Sequence, residues 1–133
     1  MTPQLNYFAI LVSALSTFFI GGLWYSPVAF GKAWMKENGF TEESLKGGNM
    51  LKVFGVSFLL AIISAVNLAM FMGPENKPAM GALWGFLAGA GWVATFVGTH
   101  YLFERKSFTL FLINAGYSIV ALTLMGAILA AWK

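Results

Sequence analysis

The fold is decided by residues 79–132, which read "AMGALWGFLAGAGWVATFVGTHYLFERKSFTLFLINAGYSIVALTLMGAILAAW". Two apolar runs, Ala79–Phe103 and Phe108–Trp132, flank the polar link "ERKS", and neither run contains Asp, Glu, Lys or Arg. Each run is close to the roughly 20 residues that cross about 30 Å of hydrocarbon as a helix. Because the link is so short, the two helices must run antiparallel as a hairpin.

Two further apolar runs, Leu5–Tyr25 and Met50–Met72, precede this hairpin. The chain is 59% hydrophobic and 10% charged, with a mean hydropathy of +0.75, whereas soluble domains carry about 25% charged residues. A soluble protein of 133 residues could not bury so much apolar surface. We therefore predict an all-α fold, an integral membrane four-helix bundle. It forms a single membrane domain over residues 1–133, with spans at 5–25, 50–72, 79–103 and 108–132.

The long loop between the first and second spans has a pattern of its own. Residues 28–38 place Phe30 and Trp34 on one helix face and Lys32 and Lys36 on another. This pattern is typical of a short amphipathic helix that lies at the membrane interface. Ser26–Pro27 should end the first span, because the residue before proline is disfavoured in the α conformation. We expect the following residues to anchor the chain at the interface and to form a lid over a cytoplasmic opening: Trp24, Tyr25, Ser26, Pro27, Phe30, Lys32 and Trp34.

The distribution of Lys and Arg predicts the orientation in the membrane. The first and third loops hold Lys32, Lys36, Lys46, Lys52, Arg105 and Lys106, whereas the opposite side holds Lys77 and Lys133. By the positive-inside rule, the first and third loops face the cytoplasm and both termini lie outside it.

Small residues recur at four-residue intervals in three of the predicted spans. Gly81, Gly85 and Gly89 form a double GxxxG pattern in the third span, which predicts a face where two helix backbones pack closely. Similar stripes occur in the first two spans, at Ala9, Ser13, Thr17 and Gly21, and at Ser57, Ala61, Ala65 and Ala69. Such a face could pack within the chain or against a second copy. With three stripes in four helices, we expect the protein to form a homo-oligomer.

Polar side chains at similar depth in all four spans predict a polar layer in the cytoplasmic half. They lie roughly 4–14 Å from the cytoplasmic helix ends at about 1.5 Å rise per residue, and they are Thr17, Ser57, Thr95, Thr99, His100, Asn114 and Tyr117. Buried polar groups in a membrane either join helices by hydrogen bonds or line a cavity, and both interpretations stay open. Near the other face, Asn6 and Asn67 could pair across the first hairpin.

A functional constellation within this layer would centre on His100, the span residue that titrates near neutral pH. Glu104 follows it one helical turn later, and Asn114 and Tyr117 share one face of the fourth span. If the layer holds a ligand, we expect His100, Glu104, Asn114 and Tyr117 to contact it. Trp24 and Tyr25 would close the site.

The composition argues against several classes of function. The chain has no cysteine, no aspartate and one histidine, which excludes disulfides, thiolate chemistry and a multi-histidine metal site. It offers no Ser–His–Asp set and no phosphate-binding loop, and it has no basic stripe for nucleic acid. The sequence therefore favours neither an enzyme nor a cofactor or metal site. We expect membrane lipid to surround the protein.

Several short motifs resemble those of a known family. They are Asn6, "LWYSP" at 23–27, "FGKAW" at 30–34, "THYLFERK" at 99–106, "NAGY" at 114–117 and "LMGAILAAW" at 124–132. Over nearly the whole chain, this pattern resembles the family called domain of unknown function 1761. The resemblance implies a small four-helix protein of the bacterial inner membrane, and it implies no activity or substrate.

Two hypotheses of function follow. The first is a homo-oligomeric transport or permeation protein whose path is lined by the polar layer, with His100 as its protonatable group. The second is a structural or regulatory membrane protein that binds lipid or a membrane partner through its small-residue helix faces.

Overall fold

The structure, a computed structural model, describes residues 5–132 and is helical, with no strand in this range. Four of its helical segments are long and apolar enough to cross a membrane. The elements in chain order are α1 (Tyr7–Trp24), α2 (Gly31–Asn38), α3 (Glu42–Lys46), α4 (Met50–Met72), α5 (Pro78–Ala88), a π-helical segment (Gly89–Val93), α6 (Ala94–Glu104) and α7 (Phe108–Ala131). Spans 1, 2 and 4 are α1, α4 and α7, and span 3 is the continuous helix Pro78–Glu104. The predicted all-α four-helix architecture is confirmed.

Local capping explains where span 1 and the interfacial helix begin. Span 1 begins at Tyr7 rather than residue 5, because the Asn6 side chain accepts a hydrogen bond from the Ala9 backbone N–H and caps the helix. The interfacial helix begins at Gly31 rather than residue 28. The residues before it form a turn, in which the backbone N–H of Phe30 donates to the Trp24 carbonyl and that of Gly31 donates to the Ser26 carbonyl, both at 2.9 Å.

Spans 3 and 4 pack backbone to backbone through the predicted glycine face. A Cβ added to Gly85 would overlap the carbonyl oxygen of Leu122, and one added to Gly81 would overlap that of Gly126. Gly126 faces span 3 in the same way. The stripe is therefore buried inside one chain, which removes it as a docking surface for a second copy.

The π-helical segment shifts the buried face of span 3 by one residue. Gly81, Gly85 and Gly89 are buried at four-residue steps, but the next buried residue is Ala94, five residues further on. The backbone N–H of Ala94 bonds to the Gly89 carbonyl across this wider turn. The inward face then continues at Gly98, which meets the Phe111 ring. A five-residue step is what one extra residue in a helical turn produces.

The apolar core lies toward the end of the bundle opposite the long loop. It comprises Ala9, Ile10, Ala65, Leu68, Ala69, Met72, Met125, Leu129 and Ala130. Every buried residue of span 2 lies in its second half, whereas residues 50–57 are all exposed. Span 2 is thus buried at one end, whereas near the long loop it contacts span 1 through the ring of Phe18, which lies 6.0 Å from that of Phe54 and 6.1 Å from that of Phe58. The predicted pairing of Asn6 with Asn67 is wrong, because Asn6 donates to the Trp132 carbonyl and Asn67 to that of Ile63.

Candidate functional site

A crevice opens between span 2 and spans 1 and 4, and its volume is about 1180 Å³. Tyr25 and Trp34 line its mouth beside the long loop, Ser57 and Tyr117 line its middle, and Met125 lies in its floor. The floor belongs to the packed core, so the crevice is open toward the long loop and closed toward the other end. This volume exceeds the roughly 300–1,000 Å³ of common small-molecule pockets. It is large enough for a lipid-sized ligand.

A series of aromatic rings forms the mouth of the crevice. Trp34 on α2 lies 5.7 Å from the ring of Tyr25 and 5.3 Å from that of Phe40, between ring centroids. The Tyr25 ring lies 5.5 Å from that of Tyr117 on span 4. These separations suit favourable edge-to-face and offset ring pairs. The interfacial helix is therefore attached to the bundle through the crevice mouth.

Asn114 holds the end of span 1 against spans 3 and 4. Its Oδ1 accepts from the Tyr25 hydroxyl at 2.7 Å, and its Nδ2 donates to the Tyr101 hydroxyl oxygen at 2.7 Å. Nearby, the Trp24 Nε1 donates to the Ile113 carbonyl at 2.8 Å. Burial raises the pKa of Tyr25, which lies just beyond the last residue of α1, and the neighbouring tyrosines add to the rise. The Tyr25 hydroxyl therefore stays protonated and keeps donating to Asn114.

Further down, hydrogen bonds join spans 1 and 4 along the crevice wall. The Tyr117 hydroxyl donates to the Thr17 carbonyl at 3.1 Å, and the Thr17 hydroxyl donates to the Ala14 carbonyl at 2.7 Å. Both side chains line the crevice, as does Ser57 across from them on span 2. Four members of the predicted polar layer, Thr17, Ser57, Asn114 and Tyr117, thus lie in the crevice wall or directly behind it.

The structure does not bring the rest of the predicted layer to this place. His100 and Glu104 are exposed on the outer face of span 3. Thr95 and Thr99 are also exposed, and their hydroxyls donate to backbone carbonyls one turn earlier in their own helix. The one-residue shift at the π-helical segment is the reason, because it turns Tyr101, rather than His100, toward Asn114.

The predicted lid residues divide into two groups. Tyr25 and Trp34 line the crevice, whereas Trp24 and Phe30 pack on each other at 4.8 Å between ring centroids. The other members of the group, Ser26, Pro27 and Lys32, shape or follow the turn: the Ser26 hydroxyl donates to the Leu23 carbonyl, and Pro27 and Lys32 are exposed.

A second cavity, the groove, lies between spans 2 and 3 and has a volume of about 420 Å³. Its wall includes Phe71, Trp84 and Trp92, with the ring of Phe71 5.0 Å from that of Trp92 and 6.5 Å from that of Trp84. The sequence does not predict this groove or the hydrogen bond between Tyr101 and Asn114. The only signal for either was the five-residue step from Gly89 to Ala94 in the small-residue pattern.

The crevice and the groove meet. Ser64 on span 2, Val93 in the π-helical segment and Leu122 on span 4 line both cavities. The two openings are therefore neighbours along one wall of the bundle rather than separate sites.

Four apolar helices with cavities between them define a multi-pass membrane protein. Residues 8–130 match the family described as "Protein of unknown function (DUF1761)", and the chain belongs to this family. The predicted resemblance is therefore confirmed. Comparison with curated proteins and with solved structures gives no significant match.

Proposed function

We propose that this protein is a small transporter that moves a lipid-like amphiphile between the two halves of the bilayer, along the crevice and the groove. The observation that carries this proposal is that the two cavities share Ser64, Val93 and Leu122. Ser64 and Leu122 lie about 21 Å along their helices from the ends beside the first and third loops, and Val93 about 17 Å, at 1.5 Å rise per residue. Since the hydrocarbon is about 30 Å thick, the junction would lie in the central part of the membrane, roughly 2–6 Å beyond the midplane as counted from these loops.

Both cavities are open sideways to lipid. Ser57 and Ser64 are exposed although they line the crevice, and Trp92 is 55% exposed although it lines the groove. An amphiphile can therefore place its headgroup in the cavities while its chain stays in the surrounding hydrocarbon. His100 and Glu104 lie outside this path, and the proposal gives them no part in it.

A lipid-flipping assay tests the proposal. The purified chain is reconstituted into vesicles with a fluorescent short-chain lipid, and dithionite reduces the probe exposed in the outer leaflet. Ser57→Trp fills the crevice without touching the packed core and should return the flipping rate to that of protein-free vesicles. Leu59→Trp is the matched control, since Leu59 is 60% exposed and lines neither cavity.

The outcomes separate clearly. Transport is rejected if the wild-type chain flips lipids no faster than protein-free vesicles do, whether the lipid headgroup is charged or uncharged. Wild-type flipping in a folded Ser57→Trp variant would reject the crevice as the path. The His100→Ala variant should flip lipid at the wild-type rate. A lower flipping rate in this variant would show that His100 takes part in transport.

Three expectations from the sequence are proposed together with the transport function. They are a homo-oligomer, a bacterial inner-membrane location and a cytoplasmic position of the first and third loops. The proposed path lies within one chain, so a monomer is sufficient for it. Cross-linking in native membranes tests the oligomer, and protease access to the long loop from either side tests the orientation.

A further inference from the structure

The crevice wall carries no ionised side chain among the residues that the structure describes there. The lysines and glutamates of the long loop are exposed and lie outside the lining. A phosphate in this site would find no cationic side chain in the wall to pair with, and an unpaired charge costs free energy wherever the wall or the lipid displaces its water. The same holds for each charge of a zwitterionic headgroup. The wall therefore favours an uncharged headgroup.

Most hydroxyl groups of the wall present lone pairs rather than protons. Five of them already donate their proton within the chain: Tyr25 to Asn114 Oδ1, Tyr117 to the Thr17 carbonyl, Thr17 to the Ala14 carbonyl, Ser44 to the Thr41 carbonyl and Ser118 to the Asn114 carbonyl. A hydroxyl oxygen has two acceptor sites, so each keeps its ability to accept. A matching headgroup supplies donors.

The aromatic rings at the crevice mouth also restrict the shape of the headgroup that can bind. Tyr25, Trp34, Phe40 and Tyr117 line the crevice as a connected series. Aromatic walls with a few placed polar groups are suited to a flat partner that has an apolar face and polar edges. A sugar ring has this character, with C–H groups on one face and hydroxyl donors at its edge.

We propose that the transported amphiphile is a glycolipid-like molecule with an uncharged, hydroxylated headgroup, which binds between the aromatic mouth and the acceptor hydroxyls of the crevice. This inference rests on the transport function proposed above and names its substrate class. The apolar lower wall, with Leu122 and Met125, accommodates the part of the molecule nearest the chain.

Three fluorescent lipids with the same short labelled chain test the substrate class in the flipping assay. One carries a single neutral sugar, one a phosphocholine and one a phosphoglycerol headgroup. The reconstituted chain should accelerate flipping of the sugar lipid well above the protein-free rate and leave the two phosphate lipids near that rate. Equal acceleration of all three, or faster movement of a phosphate lipid, would overturn the substrate class while keeping transport. No acceleration of any would reject the transport function itself.

Two variants test the acceptor hydroxyls. Tyr117→Phe keeps the ring and removes one acceptor, and Ser118→Ala removes another with little change of volume. Each should slow flipping of the sugar lipid about two- to tenfold, the effect of one lost hydrogen bond. Tyr7→Phe is the matched control, because Tyr7 is 78% exposed and outside both cavities. If folded Tyr117→Phe and Ser118→Ala both flip sugar lipid as the control does, the acceptor role is wrong.

Discussion

At the scale of single residues, the tightest constraint is the contact between the backbones of spans 3 and 4. Gly85 lies against the Leu122 carbonyl and Gly126 against that of Gly81. No side chain separates the helices there, so dispersion contacts and Cα–H···O interactions hold them together. A methyl group at either glycine has no space unless the helices separate.

We expect Gly85→Ala to destabilise the bundle by about 1–3 kcal/mol, the usual effect of overpacking a close contact. Gly55→Ala is the control, because a Cβ there meets no atom within 4 Å, and it should raise stability by up to about 1 kcal/mol through the higher helix propensity of alanine. Denaturant unfolding of both variants in one detergent measures the difference. Equal stability of the two would contradict the packing.

The depth of a residue could be predicted from the sequence, but its direction around the helix could not. Counting along the spans placed His100 and Asn114 at one level, and they do lie on adjacent spans near the same end. In a membrane both sides of a helix are apolar, so hydropathy gives little information on which side faces inward. Because of the single extra residue at Gly89–Val93, Tyr101 lies on the inner face of span 3 and His100 lies on the outer face.

At the scale of elements, the turn between span 1 and α2 positions the whole long loop. Gly31 lies so close to the Tyr25 carbonyl that a Cβ would overlap it. The sequence correctly predicts the end of span 1 near Ser26–Pro27 and the amphipathic helix after it. It misplaces the start of that helix, because the hydrogen bonds of Phe30 and Gly31 back to residues 24 and 26 leave no periodic pattern.

We expect Gly31→Ala to open this turn and release α2 from the crevice mouth. Trypsin should then cleave after Lys32 and Lys36 faster than in the wild type, by roughly tenfold for each 1.4 kcal/mol of lost attachment. Gly22→Ala serves as the control, since a Cβ there meets no atom within 4 Å. Cleavage rates that match in the two variants would show that the turn does not hold the helix.

At the scale of the whole molecule, the bundle is packed at one end and open at the other. The buried residues of span 2 all lie at the packed end. Hydropathy does not predict which half of span 2 is buried, since both halves are apolar apart from Lys52. The space between span 2 and its neighbours is a property of the assembled bundle, so the crevice and the groove could not be predicted from the sequence.

Because the chain contains no cysteine, single cysteine variants can map the opening in the membrane. A thiol reacts with maleimide as the thiolate, which forms in water and is suppressed in hydrocarbon. Ser57→Cys should therefore react rapidly with a membrane-impermeant maleimide added on the side of the long loop, and Leu59→Cys slowly. A reaction of Ser57→Cys as slow as that expected for Leu59→Cys would mean that water does not reach the crevice.

The π-helical segment has a consequence for how this chain tolerates insertions and deletions. A residue removed from the regular part of a span rotates everything after it by about 100°, which would turn the buried face of that helix toward lipid. Within Gly89–Val93 the helix already contains one residue more than an α-helix needs. Deleting Gly91 should restore a regular α-helix with both flanking halves in their present register. Span 3 can therefore lose one residue at this place and keep its packing.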